Sequence, residues 1–129
     1  MEIDERLLND SEAIVSMDLC ELRLIKDGEV DWFLLIPLRE NMIDWSDLTL
    51  EDQMTLSYEI TLVSRKLKEM EVDKINVGSL GNIVPQLHIH VIGRKKTDRA
   101  WPNAIWGTSS PKAFESSRVD FWKDQFLVK

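Results

Sequence analysis

The chain has 129 residues and a formal net charge of −7, with 43% hydrophobic and 30% charged residues. This size and composition are typical of one globular domain with a single core, and exclude a disordered or fibrous protein. The acidic balance argues against a nucleic-acid polymer as a partner. No apolar run approaches the ~18 residues that a membrane span needs, and the acidic start does not resemble a signal peptide. Because Cys20 is the only cysteine, no internal disulfide can form, and we expect a reducing, cytoplasmic location.

The first half of the chain predicts a β-hairpin followed by a long helix. Residues 17–25 and 30–37 read as strands, and the Asp27-Gly28 turn between them is a strong hairpin signal. Thr49 has the position of an N-cap for a helix that runs to about Met70. Apolar residues at helical spacing predict one stripe that packs in the core or in a dimer, formed by Leu56, Ile60, Val63, Leu67 and Met70.

The second half predicts two further strands and a last helix. A short strand at residues 74–78 leads into the loop Gly78–Asn82, whose two glycines suit it to present backbone N–H groups to an anion. Residues 94–99 read as a basic loop in contact with solvent. The alternative is that this loop binds the polyphosphate tail of a ligand. Ser110 before Pro111 predicts a helix over residues 111–126.

Both histidines of the chain lie in one strand-like segment, residues 86–92. Polar and apolar residues alternate there, so Gln86, His88 and His90 share one face of a strand. Two imidazoles ~7 Å apart beside a carboxamide form a compact group of nitrogen nucleophiles, proton carriers and hydrogen-bond donors. The segment is therefore the first candidate for a functional site.

The order of elements predicts an α+β domain, an antiparallel sheet with helices on one face. If the apolar residues of the last two strands face the helix, the polar ones share the uncovered face of the sheet. That face would carry four candidate site residues, namely Asn76, Gln86, His88 and His90.

These residues resemble the histidine-triad (HIT) superfamily of nucleotide hydrolases and transferases. The resemblance is carried by Asn76-x-Gly78, the glycine loop and Gln86-x-His88-x-His90, with weaker landmarks at Ile36-Pro37 and Trp101-Pro102. It implies a single HIT-like domain over residues 1–129, with a core at about 17–107 and a helical tail at about 111–127. Two positions depart from the family pattern, because glutamine and glutamate stand where many members have histidines: Gln86 and Glu40.

The resemblance also implies a reaction. His88 takes the place of the nucleophilic middle histidine, which attacks the α-phosphate of a dinucleoside polyphosphate or nucleoside phosphoramidate. Water would then hydrolyse the covalent nucleotidyl-histidine. His90 would hydrogen-bond a phosphate oxygen and help to protonate the leaving group. Asn76, Asn82 and Gln86 would bind the substrate and stabilise charge on its phosphate oxygens.

Partners and cofactors follow from the same resemblance. We expect a small nucleotide substrate, a homodimer, no metal ligands in the protein and no tightly bound cofactor, although magnesium can accompany a polyphosphate substrate. Two alternatives stay open. One is a nucleotide-binding module without turnover; the other is a metal site in which His88-x-His90 and a carboxylate such as Glu40 are the ligands.

Overall fold

The computed structural model describes residues 1–127, which form one five-stranded antiparallel sheet with three α-helices. The strand order is β1-β2-β3-β5-β4, so β4 lies at an edge. The strands are β1 (Ser11–Ser16), β2 (Cys20–Ile25), β3 (Trp32–Pro37), β4 (Lys74–Gly78) and β5 (Ile89–Arg94). The helices are α1 (Glu5–Asp10), α2 (Leu50–Lys68) and α3 (Ser117–Leu127), with a short 3-10 turn at Trp45–Asp47.

The main core lies between the sheet and the helices α2 and α3, which cover the same face. Alternate residues of β2, β3 and β5 point to this helix face, and the apolar stripe of α2 packs on them. Trp122 of α3 stacks edge-on against Phe33, with ring centroids 4.9 Å apart. The α+β fold with an antiparallel sheet is thus confirmed, and the stripe of α2 is used by the chain's own core.

The opposite face of the sheet carries the two histidines and is only partly covered. Leu34 and Ile36 of β3 lie on this face under Leu7 of α1, a helix that the sequence did not predict. Asp4 caps α1 by accepting the Arg6 N–H, and the helix ends where Ser11 donates to the Leu7 carbonyl. A single buried residue, Leu7, therefore anchors α1. This helix lies on the histidine side of the sheet, opposite the other two helices.

Local signals at the hairpin and the long helix are confirmed. The Asp27 carboxylate accepts the N–H groups of Glu29 and Val30 at 2.9 and 3.1 Å, which closes the predicted turn. Thr49 accepts the Asp52 N–H at 3.1 Å and is the N-cap of α2. Both features depend on side chains within three residues of their partners, and such contacts can be predicted from sequence.

Several predicted boundaries are wrong. Residues 17–19 belong to the turn between β1 and β2, where the Met17 N–H donates to the Cys20 carbonyl. The sheet therefore begins at Ser11, upstream of the expected core boundary at residue 17. The histidine strand begins at Ile89 and not at Gln86, because the Leu87 N–H donates to the Met42 carbonyl and does not join the sheet.

The last helix also begins later than predicted, at Ser117 and not at Pro111. The Ser110 hydroxyl accepts the Lys112 N–H and donates to the Lys112 carbonyl, which folds residues 110–112 into a turn. The backbone of Lys112 and Ala113 then packs directly on Gly28, where a Cβ would have no room. Ser110 therefore closes a turn and is not the N-cap of a helix.

Residues 94–99 form the predicted solvated basic loop only in part: Lys95 and Lys96 are exposed, whereas the two arginines are held by carboxylates. Arg94 is the last residue of β5 and only 1% exposed, and its guanidinium binds both carboxylate oxygens of Asp98. Arg99 binds the carboxylates of Asp27 and Glu29. Both arginines therefore serve a structural clamp, and the exposed basic side chains of this segment are Lys95 and Lys96. Among residues 1–127, none of the helices combines the length and apolar character needed to cross a bilayer.

Candidate active site

The two histidines lie side by side on the face of the sheet opposite α2 and α3, beside the central strand β3. Their ring centroids are 5.1 Å apart, and their exposed fractions are 6% for His88 and 7% for His90. His90 pairs with Leu34 of β3 and with Gly78 of β4. The alternation that predicted a shared face is therefore correct for the two histidines, and the adjoining residues Leu87 and Ile89 point into the helix-face core.

The ring of His88 is held by the main chain. Its Nδ1 lies 2.7 Å from the carbonyl oxygen of Gln86. A carbonyl oxygen can only accept, so Nδ1 carries the hydrogen and Nε2 of the neutral ring keeps its lone pair. The Ser79 hydroxyl donates to the His88 carbonyl at 3.0 Å, which fixes the backbone at the same residue. This geometry orients His88 as a nucleophile or a base.

His90 is held by an aromatic side chain from the neighbouring strand. The indole Nε1 of Trp32 lies 2.9 Å from His90 Nδ1, and the Trp106 ring packs edge-on against His90 at 5.4 Å between centroids. Burial, and secondarily the nearby His88, lower the pKa of His90 to about 4. His90 is therefore neutral at pH 7.

A cavity of about 310 Å³ opens beside the histidines. Its wall is mostly apolar and includes Leu7 of α1, Ile25 of β2 and Leu34 of β3. Asp10 and Asn82 add polar groups to the lining. Apolar walls with a few polar groups and a reactive pair at one side are typical of a small-molecule site.

The glycine loop lies at the edge of this cavity. Gly81 has a φ of +64°, a conformation that favours glycine and allows the chain to turn toward Asn82 and Val84. At the start of the loop, Gly78 carries no side chain, and the Trp106 ring occupies the space beside it. The loop thus brings Asn82 to the cavity, as the sequence predicted, and Gly78 lets Trp106 approach His90.

The side chain of Gln86 points away from the cavity. Its Oε1 accepts the Asp4 N–H at 2.7 Å, and its Nε2 donates to the Glu2 carbonyl at 3.2 Å. The Arg6 guanidinium adds a bond to the Ile83 carbonyl at 3.1 Å. Gln86 therefore ties the segment before α1 to the histidine segment, and α1 in turn supplies Leu7 and Asp10 to the cavity.

Asn76 is also not brought to the cavity. Its Oδ1 accepts a hydrogen bond from Arg94 at 2.9 Å, within the clamp of Arg94 and Asp98. The strand register explains this position, because Asn76 pairs with Ile92 and so lies one step along the sheet from His90. Asn82, His88 and His90 are the sequence-predicted residues that the structure brings together.

Sequence reasoning missed Trp32, Leu7 and Asp10 as site residues. Trp32 could have been found, because it alternates with Leu34 along β3 and therefore shares the histidine face. The α1 residues carry no comparable signal. The part of the chain at residues 1–127 contains no group of three or more His, Cys, Asp and Glu side chains placed to hold a metal ion, and Glu40 joins no such group.

Comparisons with known proteins agree with this geometry. The family model described as HIT domain matches residues 6–97. A histidine triad protein from Bradyrhizobium japonicum is 38% identical, with a TM-score of 0.91 over 98% of this chain and 95% of that chain. A histidine triad (HIT) protein from Sinorhizobium meliloti 1021 is 36% identical, with a TM-score of 0.91 over 98% and 94%.

A curated relative matches over a shorter region. Bis(5'-adenosyl)-triphosphatase of Saccharomyces cerevisiae (strain YJM789) is 34% identical over 84 residues, or 60% of this chain. The match spans 39% of that yeast protein's length.

Together, the antiparallel sheet and the paired histidines on its face opposite α2 and α3 define a protein of the histidine-triad class. The family model covers more than half of the chain, and the structural matches cover nearly all of it. The chain belongs to the HIT family. The matched region begins at residue 6 and so includes β1 and all of α1 except Glu5, two elements that the sequence resemblance had left out.

Proposed function

We propose that the protein is a nucleotide hydrolase or nucleotidyl transferase that acts on the α-phosphate of a nucleoside phosphate conjugate. The observation that carries the proposal is the bond between His88 Nδ1 and the Gln86 carbonyl, which leaves the Nε2 lone pair of His88 available beside the cavity. The match to a protein named for hydrolysis of bis(5'-adenosyl) triphosphate supports a dinucleoside polyphosphate as substrate, and a nucleoside phosphoramidate is the alternative that the sequence resemblance implies.

In the first step, His88 Nε2 attacks the α-phosphorus and forms a P–N bond. The bond from phosphorus to the leaving group breaks, and a departing phosphate leaves with the electron pair, whereas a departing amine also takes up a proton from solvent. The Gln86 carbonyl stabilises the cationic ring through its bond to Nδ1–H. The positive charge thus develops on the His88 ring, whose Nδ1–H already donates to a carbonyl oxygen.

In the second step, water attacks the same phosphorus and the P–N bond breaks. The products are a nucleoside monophosphate and free His88, and a proton from the water is released to solvent. His90 hydrogen-bonds a phosphate oxygen during both steps. The apolar wall of Leu7, Ile25 and Leu34 receives the base.

The proposal is tested by incubating the protein with diadenosine triphosphate and with adenosine phosphoramidate, and by following release of AMP. Multiple turnovers, with or without added magnesium, are the expected result. Tight AMP binding without any product release would instead identify a nucleotide-binding module. Stoichiometric metal in the purified protein, together with activity lost to a chelator and restored only by zinc, would favour the metal site.

Gln86→His is expected to keep kcat within about tenfold of the wild type, or ~1.4 kcal/mol in barrier. The substitution leaves the backbone carbonyl that holds His88, but it removes the bonds from the side chain to Glu2 and Asp4. Since those bonds hold the segment before α1, KM should rise more than kcat falls. Steady-state kinetics check this, with Asp18→Ala as an exposed control. A loss of kcat as deep as that in His88→Ala would show that Gln86 acts in the chemistry.

A homodimer is also part of the proposal. The strand β4 lies at the edge of the sheet and exposes Val77, and an exposed apolar row begins on the outer face of α2 with Leu50 and Met54. Pairing of β4 with its copy would continue the sheet and bring the two helices together.

We expect light scattering at micromolar concentration to give twice the chain mass of 15.0 kDa. Met54→Glu should weaken the dimer, because it introduces a charge into that apolar row. The Met54 side chain is 74% exposed in the single chain, so the substitution should not disturb the fold of the monomer. Glu51→Gln, on the same helix, is the matched control. A 15.0 kDa species for the wild type would contradict the dimer.

A further inference from the structure

The bond between Trp32 and His90 determines which nitrogen of His90 carries a proton. An indole N–H can only donate, so His90 Nδ1, at 2.9 Å from Trp32 Nε1, must be the acceptor. The single hydrogen of the neutral His90 ring is therefore on Nε2. This is opposite to His88, whose Nδ1–H faces a carbonyl oxygen. The two neighbouring imidazoles are therefore held as opposite tautomers. Nε2 of His88 carries a lone pair, whereas Nε2 of His90 carries a hydrogen and is a donor.

Protonation of His90 would disrupt this arrangement. A second hydrogen would have to go on Nδ1, where it would meet the indole N–H of Trp32. Trp32 and His90 are each 7% exposed, so the ring has little room to turn away and little water to compensate. The sheet supports the contact, because Trp32 pairs with Ile92 and is a diagonal neighbour of His90 on the same face.

We infer that Trp32 is a positioning residue that fixes His90 as the Nε2–H tautomer, so that His90 acts as a hydrogen-bond donor and not as an acid. The effect on catalysis rests on the proposed function, whereas the tautomer itself does not. A neutral imidazole that keeps its hydrogen can stabilise a non-bridging phosphate oxygen throughout the reaction. The proton needed by the leaving group then comes from solvent and not, as the family resemblance implied, from His90.

The surroundings of His90 support this assignment. Burial and the nearby His88 lower the pKa of His90 to about 4, which is too low for it to store a proton near neutral pH. The ionisable groups beside it in the cavity are His88 and Asp10 of α1. The other contacts carry no charge, since β3 contributes Trp32 and the loop after β5 contributes Trp106.

The tautomers can be read directly from long-range proton–nitrogen NMR spectra of ¹⁵N-histidine-labelled, ligand-free protein. The chain has only two histidines, so two ring patterns are expected, and His88→Gln assigns them. We expect Nδ1 of His90 to resonate as an unprotonated nitrogen from pH 8 down to about 5. A protonated Nδ1 on His90 at pH 7 would overturn the inference, and this result needs no variant of Trp32.

Trp32→Phe keeps an aromatic ring and removes the donor. We expect a mixture of His90 tautomers, because the donor to Nδ1 is gone, whereas burial and the nearby His88 still hold the pKa of His90 well below its ordinary value. The kcat at pH 7 should fall about tenfold with little change in KM, as for one lost hydrogen bond.

Trp106→Phe is the matched control for this experiment. Its ring also packs on His90, but its buried Nε1 has no hydrogen-bond partner within the described residues. The control should therefore leave the His90 tautomer unchanged. If Trp32→Phe folds and has the same His90 spectrum as the wild type, the role given to Trp32 is wrong. If the spectra agree with the inference but no substrate is hydrolysed, the proposed function fails and the tautomer assignment stands.

Discussion

His88→Ala is expected to lower kcat by more than about 10⁴-fold, because the covalent route is lost and not merely slowed. No other nitrogen replaces it, since the Nδ1 of His90 accepts the Trp32 N–H and its Nε2 is the donor. Affinity for AMP should persist, because the apolar wall of the cavity does not include the attacking atom. Single-turnover kinetics and calorimetric titration with AMP measure the two effects separately.

His90→Ala is the matched comparison. It removes one hydrogen-bond donor to the phosphate and should cost about 10²–10³-fold in kcat, which is less than the loss at His88. Turnover that survives in His88→Ala, or a deeper loss of kcat in His90→Ala than in His88→Ala, would show that His88 is not the nucleophile.

Asp98→Ala is expected to lower the free energy of unfolding by about 3–5 kcal/mol, which is the usual cost of leaving a buried charge without its partner. Arg94 and Asp98 have side chains that are 2% and 1% exposed, and they are joined by two bonds at 2.7 and 3.0 Å. The Asp98 carboxylate also accepts the backbone N–H groups of Lys95, Ala100 and Trp101. Urea unfolding followed by circular dichroism measures the change.

Two controls separate the buried charge from simple truncation. Asp120→Ala, on the exposed side of α3, should change the unfolding free energy by less than about 0.5 kcal/mol. The double variant Arg94→Met, Asp98→Ala should recover part of the loss, because it removes the unpaired guanidinium. If Asp98→Ala is no more destabilising than Asp120→Ala, the clamp does not stabilise the fold as described.

The same ion pair predicts a dependence on acid. Hydrogen bonds from Arg94 lower the pKa of Asp98 from 3.8 to about 2 in the folded chain. The ionised carboxylate therefore contributes its full stabilisation above pH 3.8 and loses it as the pH falls toward about 2. Stability measured across this interval should fall more steeply in the wild type than in Asp98→Ala.

The central site could be predicted from sequence because both histidines lie in one short alternating segment. Alternation alone placed His88 and His90 on one face and Leu87 and Ile89 in the core, and the structure agrees. The N-cap Thr49 and the Asp27 turn were predictable for a similar reason, since each bonds to a residue within three positions.

What the sequence could not predict depends on contacts between distant residues. Trp32 and His90 are 58 positions apart, and Asp4 and Gln86 are 82 apart. The family resemblance implied a substrate contact for Gln86, whereas its carboxamide binds backbone groups of the amino-terminal segment. Likewise, six-residue α1 buries only Leu7, so it has no hydrophobic period to recognise.

The most direct test of the proposed chemistry is to trap the intermediate. After rapid acid-free quenching of a reaction with diadenosine triphosphate, tandem mass spectrometry should find one AMP group on His88. The same adduct should form in His90→Ala, where His88 is the single histidine left. An adduct on His90, or steady turnover in which His88 never carries a nucleotidyl group, would contradict the covalent mechanism.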